Sequence, residues 1–498
     1  MSLSSAALGN TAPLKWLRIP LLFTVALSPL SEAQQDFATF ADFAAAARAA
    51  LHSEQVTRLE FTANGWEACL GQPWRIDAGW ARWDLRDYRR VFDFAAGLSV
   101  QNAQRRAGLD PDRIGGCGAQ PDAAAAPQQS SITPMSPLAS QLPLWLTPQG
   151  FVELAADKAA TLSADANGWK AEFMVVENGV SYPFVGHFNA ELLPERIETR
   201  IDNTVYGDML VEAEFSDYRD FNGVMFPARL VHKQGGNAIL DLSIDSVTPN
   251  TTASAEAPAR PAAATGAGAA QGAAPLTGVV EVGPGIFVSH GAYQGVFVEF
   301  DGYSVVIDGL QNDARAAELI AQVKEAIPGK PIRYVIPTHN HFDHTAGLRA
   351  FAAEGATIVT HNVNVGFFKE ALANPRTLAQ TDVPQVPVDV MGVGDFFALS
   401  DETQQLHLHR IQGNSHADDM LVAYLPSIKA IVEADMLQPW ISPQFGGNYP
   451  GGHPFLRLLA DELERLGLDY TQFIPIHRPP QPPFQQKSEL LTAIGRTQ

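Results

Sequence analysis

Thr338-His339-Asn340-His341-Phe342-Asp343-His344-Thr345-Ala346-Gly347 gathers three imidazoles and a carboxylate within six positions, at the end of an apparent strand. His339 and His341 are two apart, so in extended chain both rings point to one side, whereas Asp343 and His344 sit where the chain turns into a helix. That spacing presents two ligand sets to two adjacent metal ions. A solvated polar loop with Asp343 as a helix N-cap would use the same residues for packing alone.

Three further segments each end an apolar run on a metal-binding residue type. His416 lies in Gly413-Asn-Ser-His-Ala-Asp-Asp419, a loop entering the strand-like run 420–425. Asp435 closes the run 430–435, and His477 closes Phe473-Ile-Pro-Ile-His477. Loops at strand ends, held by a rigid sheet, are where ligands far apart in sequence are brought together.

The pattern His339-x-His341-x-Asp343-His344, then His416, Asp435 and His477, resembles the metallo-β-lactamase-fold hydrolases in order and in spacing. Strand-like runs at 279–288, 296–300, 303–308 and 333–336, with a helix over 313–326, extend the likeness to roughly residues 276–490. The resemblance implies an α/β fold, an αββα sandwich. It also implies one metal bound by His339, His341 and His416, a second by Asp343, His344 and His477, and Asp435 between them. Asp308 stands where that family often keeps an aspartate behind the ligands.

Ligand identity discriminates within the family. The best-known antibiotic-hydrolysing subclasses have cysteine or serine where this chain has Asp435. Aspartate there, with His344, looks more like glyoxalase II, the lactonases and related hydrolases. His341 stands where the flavodiiron branch has glutamate, and a net charge of −20 opposes the phosphate backbone that the RNA-processing branches bind. The implied activity is hydrolysis of an ester, lactone, thioester or amide carbonyl by a hydroxide bridging two metals, with Asp343 orienting it. Nitrogen and oxygen donors make zinc the default, two per chain, while iron and manganese accept the same set. The alternatives are a zinc β-lactamase, an iron enzyme similar to the persulfide dioxygenases, and a binding protein whose metal site is structural.

Other residues near these motifs have weaker assignments. Trp440, Phe445, Tyr449 and His453 lie in a Gly- and Pro-rich stretch that would either wall a substrate pocket or pack on the sheet. His407 and His409 alternate on one strand face and are expected at the surface. His361 is expected to have a structural role, and His290 has no assigned task.

At the N-terminus, Lys15 and Arg18 precede an apolar run at 19–30, and Ser31-Glu-Ala33 offers a small-x-small cleavage site. Residues 1–33 therefore read as a signal peptide, too short for a stable membrane span, and the mature chain is expected to be secreted or periplasmic. Cys69 and Cys117 are the only two cysteines. In an oxidising compartment they are expected to pair, closing a loop of roughly fifty residues worth about 4 kcal/mol.

The mature length suits two domains rather than one core. The first, residues 34–247, opens with a helix over 36–51 carrying Phe37, Phe40 and Phe43. It continues as a mainly antiparallel β domain with strands at 169–176, 181–188, 194–201, 210–218, 229–233 and 239–247, about six in all. It resembles the curved sheets of periplasmic lipoprotein-carrier domains through Asp217-Tyr-Arg-Asp-Phe-Asn-Gly-Val-Met-Phe-Pro227. Residues 118–140 read as a long loop and 248–275, almost wholly Ala, Gly, Pro, Thr and Ser, as a linker to the hydrolase domain, 276–498. Partners are expected to be a small-molecule substrate, with no nucleic acid and no stable membrane insertion. No oligomeric state can be assigned.

Overall fold

A computed structural model describes residues 37–106, 116, 126–165, 167–255, 277–291, 293–309, 311–437, 454–477 and 484–496. The signal peptide and most of the linker therefore lie outside the described residues, as do Cys117, Trp440, Phe445, Tyr449 and His453.

The first region is one antiparallel sheet in which the first strand, Arg58–Ala68, pairs with the last, Asn237–Pro249. Eleven strands take part rather than about six. The additional ones include Arg82–Asp93, Leu98–Arg106 and Ala126–Ile132. In the first two of these, a register shift between Arg86 and Arg89 and the buried polar Arg90, Asp93 and Ser99 interrupt the alternation of buried apolar residues such as Leu85, Tyr88, Val100 and Ala103. Among the described residues of the loop expected over 118–140, the strand Ala126–Ile132 and the start of the helix Leu138–Trp145 are regular structure. A capping box between Thr39 and Asp42 starts the helix Phe40–Ala50. Its Phe43, Ala44 and Ala47 share a core with Leu142 and Phe151 of the helices Leu138–Trp145 and Pro148–Asp157 and with Phe184 and Ile197 on the sheet. The start of the expected linker is also ordered onto this sheet, where Ala255 packs against Val91 and Val100.

The C-terminal region has four layers. A seven-stranded sheet, from Val279–Gly283 to Val390–Val393, faces a six-stranded sheet, from Phe396–Ser400 to Gln485–Gln486. Between them lies an aliphatic core that includes Val298, Ile307, Leu408, Val432 and Ile474. Helices Asp313–Ala326, Leu348–Ala353 and Val365–Ala371 cover one outer face, and Pro454–Arg465 and Lys487–Ala493 the other. The single strand expected over 279–288 is a hairpin, Val279–Gly283 and Ile286–Ser289, turning at Pro284-Gly285. His409 is a second correction: only 8 % exposed, it is buried rather than superficial, with the Phe396 ring 5.0 Å away.

Residues 37–498 form one compact unit, and Arg349 is a principal rivet within it. Its guanidinium donates to the carbonyls of Thr204 (3.0 Å) and Val205 (3.1 Å), at a hairpin of the first sheet. It also donates to Ala371 (2.9 Å) and Leu372 (2.7 Å) in the C-terminal region. Beside it Arg376 holds Asp202 by two bonds of 2.6 and 3.0 Å. Burial and the neighbouring Arg376 push the Arg349 guanidinium down to about 10, so it stays charged at neutral pH. Removing it strands several desolvated carbonyls. Arg349→Met should lower stability by about 3 kcal/mol, read as a fall in the urea midpoint; an unchanged midpoint would count against this role.

Candidate metal centre

Strand direction sets the site. Parallel pairing of Ser304–Ile307 with Ile332–Ile336 delivers Asp308 and the Thr338–His344 loop to one edge of the seven-stranded sheet. Parallel pairing of Ala430–Glu433 with Gln472–Pro475 does the same for Asp435 and His477 in the six-stranded sheet. Leu421 N donates to Thr338 O (2.7 Å) and Gln294 N to Ile476 O (2.8 Å), holding the two edges together. Gly347 lets the following helix approach closely, since a Cβ there would lie 2.0 Å from Gly309 O.

The seven residues expected as ligands meet in two groups. His339, His341, His416 and Asp435 form one, and Asp343, His344, Asp435 and His477 the other, with donor atoms in each within 4.8 Å of one another. Asp435 belongs to both. Its Oδ2 lies 2.9 Å from His344 Nε2, 3.2 Å from His339 Nε2 and 3.4 Å from His416 Nε2, while Oδ1 lies 2.7 Å from His477 Nε2. His339 Nε2 and His341 Nδ1 face each other at 2.8 Å. His416 Nε2 is buried and finds no hydrogen-bond partner among the described residues. Converging imidazole lone pairs around a shared carboxylate fit a pair of cations and have no comparable use in packing.

Outward contacts aim the rings. His344 Nδ1 donates to Asp308 Oδ2 (2.7 Å), so its Nε2 faces the site. Thr338 Oγ1 also donates to Asp308 (3.2 Å) and accepts from His339 Nδ1 (3.1 Å). Asp308 and Asp435 both adopt left-handed backbone, with φ of 80° and 61°. Such strain persists where surrounding contacts fix it and is common at functional sites.

The proton arrangement suits metal binding. Burial and the neighbouring His344 push His339 down to about 4, and burial with His339 holds His341 well below the usual histidine range. Burial works against charge on Asp343 and Asp435 as well. It is outweighed by His344 beside Asp343, and by His477 and His344 beside Asp435, and both carboxyls lie well below their usual range. Burial also opposes charge on His344, yet Asp308, Asp343 and Asp435 raise it well above its usual value. The site thus draws positive charge to its centre, and a cation would replace that proton.

Several contributors carry no motif. Tyr293 Oη donates to Asp343 Oδ2 (2.9 Å). Glu433, 1 % exposed, accepts from Met436 N and Leu437 N (both 3.1 Å) and so shapes the turn bearing Asp435; burial raises its carboxyl to about 7. Asp419 accepts from Asn340 and Asn364 (both 2.6 Å), pinning the His-x-His loop from beneath. The sequence clue for Glu433 and Asp419 was an acid beside or within a fully apolar run. His361 Nδ1 accepts from Val363 N (3.5 Å) at a helical turn, in keeping with a structural role. Cys69 is disulfide-bonded. A groove of about 690 Å³ in the first region is lined by charges already paired with one another, such as His187 with Asp165 and Arg229 with Asp241.

Residues 293–467 match the family model described as the metallo-beta-lactamase superfamily, and the C-terminal region carries a domain of that kind. Among curated proteins, the 2,4-dinitroanisole O-demethylase subunit alpha of Nocardioides sp. (strain JS1661) is 21 % identical over 190 residues, 38 % of this chain. The match spans 54 % of that relative's length. Similar solved structures include a metallo-beta-lactamase from Pontibacter korlensis (18 % identity, 44 % of this chain and 97 % of that one, TM-score 0.33). Another, from Hirschia baltica, has 20 % identity over 45 % of this chain and 100 % of that one, with a TM-score of 0.33. The stereoselective inverting sec-alkylsulfatase Pisa1 from Pseudomonas sp. has 18 % identity over 44 % of this chain and 40 % of that one, with a TM-score of 0.31.

Asparagine tolerates left-handed backbone, so Asp308→Asn removes the charge behind His344 without imposing a new conformation. Metal affinity, measured by competition with a chromogenic chelator, should fall about tenfold or more. Wild-type affinity would show that Asp308 does not support the ligands.

Proposed function

We propose that the protein is an exported metal-dependent hydrolase that cleaves a small carbonyl compound: an ester, lactone, thioester or amide. The observation that carries this reading is the buried Asp435 carboxylate shared by two donor groups. His339, His341 and His416 would hold one ion and Asp343, His344 and His477 another, with Asp435 touching both. An all-nitrogen-and-oxygen set favours zinc. Two such ions, when bound, supply Lewis acidity and bring the pKa of water towards neutrality.

The chain's own groups do the rest. Asp343 is ionised and, with its side chain 28 % exposed, stands at the open side of the site, where it can accept a proton from attacking water. Burial and the adjacent Asp343 push the Tyr293 hydroxyl up, so it remains a donor at neutral pH. The expected ligands include no thiolate that could be lost to disulfide formation. That property and the disulfide at Cys69 both suit an oxidising compartment. The acidic net charge of −20 favours a small-molecule partner over nucleic acid.

Purified protein should contain about two zinc ions per chain, and His339→Ala or Asp343→Ala should lower turnover at least a thousandfold. The substrate panel would comprise lactones, aryl esters, thioesters, nitrocefin and, because of the O-demethylase relative, 2,4-dinitroanisole. Full activity in metal-free protein would overturn the proposal. Export has its own readout: the mature chain should begin at Gln34 and be recovered outside the cytoplasm, whereas an intact cytoplasmic chain beginning at Met1 would refute it.

A further inference from the structure

The first sheet reaches into the candidate metal centre. Its strands Arg58–Ala68 and Arg82–Asp93 are neighbours and antiparallel, but residues 69–81 join them by a long loop instead of a tight turn. This loop touches two of the ligand-bearing loops of the C-terminal region, those of His339–His344 and His416. Gly71 O accepts from Phe342 N (2.9 Å), and Trp74 O accepts from Asp418 N (2.7 Å). Trp74 Nε1 donates to Asn414 O (2.8 Å), whose side chain in turn accepts from His416 N (2.9 Å). The Trp80 ring meets Phe342 edge-on at 5.9 Å.

Two of its contacts fall on expected ligands. His341 Nε2 lies 3.0 Å from Pro73 O. A carbonyl only accepts, so the ring proton sits on Nε2 and the Nδ1 lone pair is left facing His339. Gln72 Nε2 donates to Asp343 Oδ1 (2.7 Å), while Tyr293 takes Oδ2. The Asp343 carboxylate is therefore clamped at both oxygens, one from each region of the chain. The approach is close: a Cβ on Gly116, whose N–H donates to Gln72 O (3.2 Å), would lie 2.8 Å from His341 Cε1.

We infer that Gln72 is a positioning residue of the metal centre, setting the orientation of the Asp343 carboxylate, and that the hydrolase site is completed by the first domain. The inference rests on the metal-dependent reading above. Its role differs from that of a wall residue: removing the carboxamide frees Asp343 to rotate, which weakens the ion held with His344 and His477 more than the one held with His339 and His341. Turnover then suffers more than substrate affinity, because Asp343 is needed at the chemical step.

The test uses the full mature chain. Metal-free wild type, Gln72→Met and Gln72→Asn would be titrated with zinc against a chelator, and their melting temperatures and kinetics compared. Methionine keeps the length without the donor, and asparagine keeps the carboxamide but falls short. Both should bind two ions, with the weaker constant reduced about tenfold and kcat reduced more than KM is raised, at an unchanged metal-free melting temperature. Asp77→Ser, in the same loop but exposed and remote from Asp343, should match wild type. Wild-type constants in both Gln72 variants, or a raised kcat, would overturn the inference while leaving the metal-dependent reading intact. A wild type that binds no zinc would instead remove the reading itself.

Discussion

One buried carboxylate organises this structure. Asp435 places its oxygens within 3.4 Å of four imidazole nitrogens from three separate loops. An ionised carboxylate at such depth is costly unless positive charge faces it. The histidines cannot all be protonated, because like charges at these separations repel. Two rings, His339 and His341, are kept neutral with lone pairs turned inward, while His344 holds positive charge beside the carboxylates, an arrangement into which a cation would fit. Both sheets end where they do in order to meet at this point, and Glu433, through two backbone amides, fixes the turn that presents Asp435.

Three of the rings, those of His339, His341 and His344, are held in register by acceptors on their far sides, and these come from different parts of the chain. Asp308 serves His344 from the adjacent strand, and Thr338 serves His339 from the same loop. For His341 the acceptor is Pro73, in a loop that joins two strands of the N-terminal sheet. Arg349 and Arg376 anchor a second hairpin of that sheet beside the helices following the His-x-His loop. The two regions are thus joined through polar groups satisfied only in the docked arrangement. An interface of this kind fixes geometry more sharply than an apolar one, since a small slip leaves buried carbonyls unpaired.

What the sequence disclosed follows from the same physics. Residue types able to bind metal, placed at rigid strand ends, are visible in a sequence, so the convergence of His339, His341, Asp343, His344, His416, Asp435 and His477 could be expected from type and position. Gln72 and Tyr293 could not, because a glutamine or tyrosine in a loop acquires its role only from what it meets after folding. The strands at 82–93 and 98–106 carry no clean period-two signal, because a register shift and buried polar residues such as Arg90 and Ser99 interrupt the apolar alternation. His409 was misplaced because period-two spacing assigns a face without telling what covers it, and here Phe396 does.

Accessibility indicates where a substrate must approach. The His339 and His344 side chains are fully enclosed, whereas those of Asp343 and His477 are 28 % and 18 % exposed. The open side is therefore the Asp343 side, and among the described residues the donors bordering it are the Gln72 carboxamide and the Tyr293 hydroxyl. Both donate to the carboxylate rather than accept from it. A group entering there meets the Asp343 carboxylate already held at both oxygens, so its orientation needs little adjustment. Because one of those donors comes from the loop at 69–81, the first domain is part of the geometry of the site as well as of the fold.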